Sequence, residues 1–206
     1  MTETMLYFIR HGQTEWNVQG RMQGHRDSEL TVKGRRQAER LAERLSPVTF
    51  DALHSSTSPR AVSTARLIRG ERSEELRTWD ALKEINMGVW EGESVETIRK
   101  QDAERYRHFW EAPHLYRPSA GGESYEELLK RTLPALEKIA AEHAGGHVLI
   151  VTHRITLRTV LGHYEGKSLR ELGELPDLPP ASLSLVRLRD GKASVELYGD
   201  ASHDKD

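Results

Sequence analysis

One run, "HVLIVT" at positions 147–152, constrains the fold more than any other stretch of this 206-residue chain. Val148–Val151 is apolar without a break, so the strand it forms has to be covered on both faces. That is the character of a strand in a parallel sheet flanked by helices. A second run, "LYFIR" from Leu6 to Arg10, reads the same way and marks a strand over about Met5–Arg10.

The remaining signals alternate with these two. A polar loop carrying Gly12, Gly20 and Gly24 leads to a helix from about Thr31, where Ala38, Leu41, Ala42 and Leu45 fall at i, i+3, i+4 and i+7. "FDALHSS" predicts a short strand. "SPRAVSTARLIRG" predicts a helix opened by Ser58-Pro59 and closed by Gly70, and "EELRTW" a weaker third strand. Ser124 and Glu127 form a capping box for a long helix with Leu129, Leu133, Leu136 and Ala140 on one face. Pro134 inside it is expected to kink the helix or remove one hydrogen bond. "ITLRTVLGHY" predicts a last helix, and the tail predicts a hairpin about Asp190-Gly191. The expected fold is α/β: a mostly parallel central sheet with helices on both faces and an edge hairpin near the C-terminus. Residues 1–206 are expected to form one domain, with 86–122 as an insertion or lid near the site.

Composition excludes several classes. Thirty Lys and Arg against 32 Asp and Glu give a net charge of −2, which removes the electrostatic case for nucleic acid or an anionic membrane as the main partner. The absence of cysteine rules out disulfides, thiolate metal sites and a cysteine nucleophile, and fits a reducing, cytoplasmic setting. No apolar run approaches the roughly 20 residues of a membrane span. Nothing in the surface pattern sets the oligomeric state.

The chemistry collects where the strands end, since ligands of open α/β sheets sit beyond their carboxyl ends. The first strand ends in Arg10-His11, the second is followed by "SSTSPR" with Arg60, and the buried run ends in Thr152-His153. Two arginines and two histidines thus converge. Each strand also opens a helix or loop whose backbone N–H groups are expected to point the same way, with Gly12 letting amides approach the ligand. This is an anion pocket, and the guanidinium fork suits a phosphoryl group. A neutral imidazole can attack phosphorus, and flanking arginines disfavour the imidazolium. Glu84, just after the third strand, is the best-placed proton donor. Asn17 and Gln23 stand in the glycine-punctuated loop that also holds Gly24, where they can contact phosphate oxygens. Attack by neutral His11 with protonated Glu84 predicts a bell-shaped kcat/KM. His54, His108, His114 and His163 read as surface or satisfied core residues. Gly145-Gly146 separates His143 from His147, so no zinc face is expected there.

"FIRHGQTEWN", "GRMQGHRDSELTVKGRRQA", "SSTSPRAVSTA", "LKEINMGVWEG", and "GGES" through "VLIVTHR" together resemble, in order and spacing, the histidine phosphatase superfamily, in its phosphoglycerate mutase-like branch. The resemblance covers nearly the whole chain. It implies His11 as the phosphorylated nucleophile, Arg10, Arg60 and His153 in the phosphate pocket, and Glu84 as proton donor and later base for water. It places Asn17 and Gln23 against the phosphoryl group and implies no metal or other cofactor. The short insertion and "EINMGVWEG" favour phosphatases over mutases. "HFWEAPHLYRP" resembles the crossing segment of broad-specificity phosphatases, with Phe109, Trp110, Leu115 and Tyr116 as an apolar roof over a small-molecule phosphate monoester. The alternatives are a phosphoglycerate mutase, an alpha-ribazole-phosphate phosphatase, and a phosphate-binding regulatory module without catalysis. Arg154 departs from the family, which usually has glycine after the TH pair; turned inward, it adds a cation to the pocket.

Overall fold

The computed structural model describes residues 3–204. Its centre is a six-stranded sheet. The strands are β1 (Glu3–Arg10), β2 (Ala52–Ser56), β3 (Leu76–Trp79), β4 (His147–Thr152), β5 (Leu183–Arg189) and β6 (Lys192–Asp200), in spatial order β3-β2-β4-β1-β5-β6. The first four are mutually parallel, and β5 and β6 add an antiparallel edge. The hairpin between them turns on Asp190 and Gly191 at φ 50° and 74°, the left-handed pair a two-residue turn requires.

Both faces of the sheet are covered because successive strand residues point opposite ways. Leu6 and Phe8 of β1 and Val148 and Ile150 of β4 pack with Leu136 and Ile139 of α6 (Tyr125–Glu142) and Leu157, Val160 and Leu161 of α7 (Arg154–Tyr164). Tyr7, Ile9, Leu149 and Val151 face the other way. They meet Ala38, Leu41 and Leu45 from α2 (Val32–Arg44) and its C-cap, and Ala61, Ala65 and Ile68 of α3 (Pro59–Arg69).

A single turn, α1 (Glu15–Val18), follows β1. Residues 86–122 carry α4 (Val95–Gln101) and α5 (Ala103–Glu111), which pack with Met22, Ile85, Leu128, Ile155 and Leu172 in a third apolar cluster whose aromatic members are Trp90, Phe109, Tyr116 and Tyr125. The capping box of Ser124 and Glu127 is formed as expected. The buried stripe of the following helix differs from the expected one. It is Leu128, Thr132, Ala135, Leu136 and Ile139, with Leu129 and Leu133 half-buried at its edge. Both stripes satisfy the helical period, and the packing of Tyr125 into the aromatic cluster decides between them. Pro134 lies on the exposed side, and the helix continues through it. Among the described residues no helix is long and apolar enough to cross a membrane.

Candidate active site

Register brings the site together. Arg10 pairs with Thr152 across β1 and β4, so the next residues, His11 and His153, leave the sheet side by side. Their ring centroids are 5.2 Å apart at 61°. Strand β2 lies on the other side of β4 and feeds α3, whose second residue is Arg60. All four side chains are buried.

His11 has a defined tautomer. Its Nδ1 lies 2.8 Å from the Gly12 carbonyl, which can only accept, so Nδ1 carries the proton. The lone pair is therefore on Nε2, where Arg60 Nε donates to it at 3.3 Å. Burial, then the Arg60 and Arg10 guanidiniums, hold this imidazole well below its ordinary value of 6.5. His153 is held down by burial, then by Arg60 and His11. Its Nε2 is 2.8 Å from Ser56 Oγ, and its buried Nδ1 has no partner among the described residues. It stands behind His11 and forms none of the cavity wall.

The two arginines are anchored differently. Arg60 donates to the carbonyls of Gly24 and Arg26 at 2.9 and 2.7 Å and to Asp27 Oδ1 at 2.9 Å, which fixes its fork. Arg10 donates to the Leu178 carbonyl, and its buried Nε has no partner among the described residues. Burial and then Arg154 push Arg10 down to about 10, so it remains a cation at neutral pH.

Glu84 lies on the cavity wall at the N-terminus of α7. Its Oε1 accepts from Ile85 N, Thr156 N and Thr156 Oγ1 at 2.9–3.0 Å, while among the described residues Oε2 accepts only from Ile155 N at 3.0 Å. Oε2 is thus the oxygen with room for a transferable proton. Arg131 supports the whole segment. It pairs with Glu123 at 2.6 Å and donates to the carbonyls of Ala81, Lys83 and Glu84 at 2.7–3.0 Å. The structure corrects one expectation here: the amides at the start of α7 bind Glu84 instead of facing an incoming anion. Gly12 is corrected likewise. Its N–H donates to Thr64 Oγ1, and a Cβ there would stand 2.5 Å from the Gly34 carbonyl, so close packing on α2 demands the glycine.

A cavity of ≈ 170 Å³ opens over His11, Arg10, Arg60 and Glu84. Asn17, Gln23, Gly24 and Trp110 line it as anticipated. Asn17 Oδ1 accepts from Thr14 N at 3.1 Å in a capping box; this assigns the amide and leaves Nδ2 without a protein partner among the described residues. Gln23 donates to Thr14 Oγ1 at 2.9 Å. Gly24 sits at φ +54°, where a Cβ would collide with the Glu91 carboxylate.

Phe109 and Tyr116 do not belong to this wall. They are buried in the aromatic cluster with ring centroids 5.0 Å apart, and Tyr125 Oη donates to the Phe109 carbonyl. Trp110 is one residue further round the same helix, about 100° away, which is why it alone of the three reaches the cavity. Leu115 is exposed, away from the wall. Arg154 does turn to the cavity. It donates to Asp177 at 2.6 Å and stacks over Trp110 at 4.5 Å. Sequence reasoning missed Asp27, Ser56, Arg131 and Glu123; the acidic residue of "GHRDS" and the glutamate of "GGES" were the available signals.

Residues 6–201 match the model of the histidine phosphatase superfamily (branch 1). The chain belongs to this family. It is 34% identical over 205 residues to a metal-independent phosphoserine phosphatase of Arabidopsis thaliana, covering 97% of this chain and 83% of that protein. It is 37% identical over 210 residues to a probable phosphoglycerate mutase of Proteus mirabilis, covering 96% and 94%. Among solved structures, Bacillus stearothermophilus YhfR superposes with a TM-score of 0.94 at 41% identity, covering 98% of this chain and all of that one. The fold expected from sequence, an α/β sheet of the phosphoglycerate mutase-like kind, is the fold found.

Proposed function

We propose that the protein is a phosphomonoesterase that works through a phosphohistidine at His11. The observation that carries this is the His11 tautomer: a neutral imidazole with its lone pair on Nε2 beside a fixed guanidinium. Arg10, Arg60 and the free amide of Asn17 receive the phosphoryl oxygens, and an incoming oxygen replaces Nε2 as the acceptor of the Arg60 Nε proton. Nε2 forms a bond to phosphorus as the ester P–O bond breaks, and Glu84 gives its proton to the departing alkoxide. In the second step Glu84 takes a proton from water, which attacks phosphorus, and the P–N bond breaks to return neutral His11 and inorganic phosphate. The guanidiniums supply the positive charge that the phosphoryl group needs in both steps.

Small phosphate esters are the substrate class this reading assigns, and phosphoserine, named for the Arabidopsis relative, is a first substrate to test. The cytoplasm is the setting we assign, in keeping with a chain that has no cysteine. A mutase reading is favoured by the name of the Proteus relative. It differs only in whether the phosphoryl group returns to substrate or passes to water. Release of inorganic phosphate from phosphoglycerate, measured against isomerised product, separates the two; isomer in excess would overturn hydrolysis. His11→Ala is expected to lose several orders of magnitude in kcat on every ester, since it removes the two-step route. Parent-level turnover in that variant would end the proposal.

A further inference from the structure

Beyond Trp110 the cavity continues into a second, more open cleft of ≈ 630 Å³, and the two share Tyr106, Trp110 and Arg154. The inner chamber is small. At ≈ 170 Å³ against ≈ 630 Å³ it is about a quarter the size of the outer cleft, and it is the part that lies over His11. A leaving group that extends into the outer cleft passes these three side chains.

The outer cleft is basic and aromatic. Arg99, Arg107 and Arg154 line it against one acid, Glu111. Tyr106 and Trp110 stand four apart on one helix, ring centroids 6.2 Å from each other, and each carries a guanidinium on its face: Arg99 at 5.0 Å and Arg154 at 4.5 Å. Stacking of this kind fixes the plane of a guanidinium while leaving its N–H edge free. Arg154 is also held at the first position of α7 and through Nε by Asp177. Its terminal amines make no hydrogen bond to any described residue. The contrast within the molecule is direct, because the guanidinium of Arg131, which braces the segment before Glu84, engages Nε and both terminal amines. Arg99 and Arg107 have no ion-pair partner among the described residues.

We infer that Arg154, with Arg107 further out, forms a second anion subsite, so that the preferred substrates are phosphomonoesters whose leaving group bears a carboxylate or a second phosphate. This deepens the proposed phosphatase reading and rests on it. A half-exposed guanidinium with an unused fork binds a carboxylate or phosphate by charge-assisted hydrogen bonds, and the side chain of Arg154 is 35% exposed.

Two matched pairs test it at low ionic strength. Glycerol 3-phosphate and 3-phosphoglycerate differ by a hydroxymethyl group against a carboxylate. Fructose 6-phosphate and fructose 1,6-bisphosphate differ by a distant second phosphate. The anionic member of at least one pair is expected to be favoured about tenfold or more in kcat/KM, and which pair shows it tells carboxylate from phosphate. Arg154→Gln should bring the ratio to within about twofold. Arg107→Gln, at an exposed position where folding is not at risk, should reduce only a preference for the bisphosphate. Added salt should shrink the preference, because the subsite is open to solvent. Equal kcat/KM within both pairs, or a preference that Arg154→Gln leaves intact, overturns the subsite while His11-dependent hydrolysis of all four esters leaves the phosphatase reading standing. Hydrolysis of none of them removes both.

Discussion

At the scale of single residues, the proposed mechanism depends on one imidazole kept neutral and one carboxyl kept in place. Glu84→Gln preserves the size of the side chain and removes both proton donor and base. In the proposed mechanism, phosphorylation of His11 by p-nitrophenyl phosphate needs little help, because nitrophenolate leaves without a proton, whereas hydrolysis of the phosphoenzyme needs the base. The variant is therefore expected to release one rapid equivalent of nitrophenolate and then turn over about 10²–10⁴-fold more slowly than the parent, as stopped-flow absorbance would show. A steady state without a burst would remove Glu84 from the second step. That Arg10, His11 and His153 come together was legible in the sequence because they end or follow the two strands with clear apolar runs. Arg60 and Glu84 follow the short β2 and the weak β3 and rested on the family resemblance. Phe109 and Tyr116 were not legible, since an aromatic residue packs equally well into a core or over a ligand, and only the helix rotation separates them from Trp110. The direction of Arg154 depended on Asp177, distant in sequence and invisible to local pattern.

At the scale of elements, the loop from Ala81 to Glu84 is held in place by another helix. Arg131 of α6 joins Glu123 to three of its carbonyls. Arg131→Met is expected to lower kcat about tenfold or more while KM changes little, with a stability loss of about 2–3 kcal/mol from the broken charged hydrogen bonds. Steady-state kinetics and urea melts read the two effects separately, and an unchanged kcat would make Arg131 a purely structural residue. Pro134 gives a second test on the same helix. It is exposed and mid-helix, so Pro134→Ala restores an N–H donor and is expected to raise stability by about 1–3 kcal/mol; a loss would mean that the helix packing depends on proline. The sequence marked this helix and its cap correctly but placed its core stripe one residue late. Leu129 and Leu133 have the right spacing, and the choice of Leu128, Thr132 and Ile139 is made by the sheet and aromatic cluster they meet. The same long-range influence redirected the amides at the start of α7, which the sequence reading had aimed at the ligand and which Glu84 takes up.

At the scale of the whole molecule, burying histidines without charge makes stability depend on pH. His11 and His153 are held well below 6.5, and burial with nearby His143 and Arg77 lowers His54 to about 4. The unfolded chain takes up these protons near pH 6.5 while the native state does not. The unfolded state then binds more protons, so stability is fully present above about pH 6.5 and falls as pH drops below it, for His54 down to about 4. Each such histidine adds up to about 1.4 kcal/mol per pH unit in that window. Urea melts from pH 8 to 5 should show the decline, and a flat profile would contradict neutral burial of the pair at the site. In the proposed mechanism that neutrality also arms His11 as the nucleophile, and the direct test is to find the phosphoryl group itself. After mixing with excess phosphomonoester and quenching in base, phosphorus NMR and peptide mapping should place the label on His11, as the Nε2-linked phosphohistidine. Label on Nδ1, on another residue, or on none at all during turnover would contradict the account.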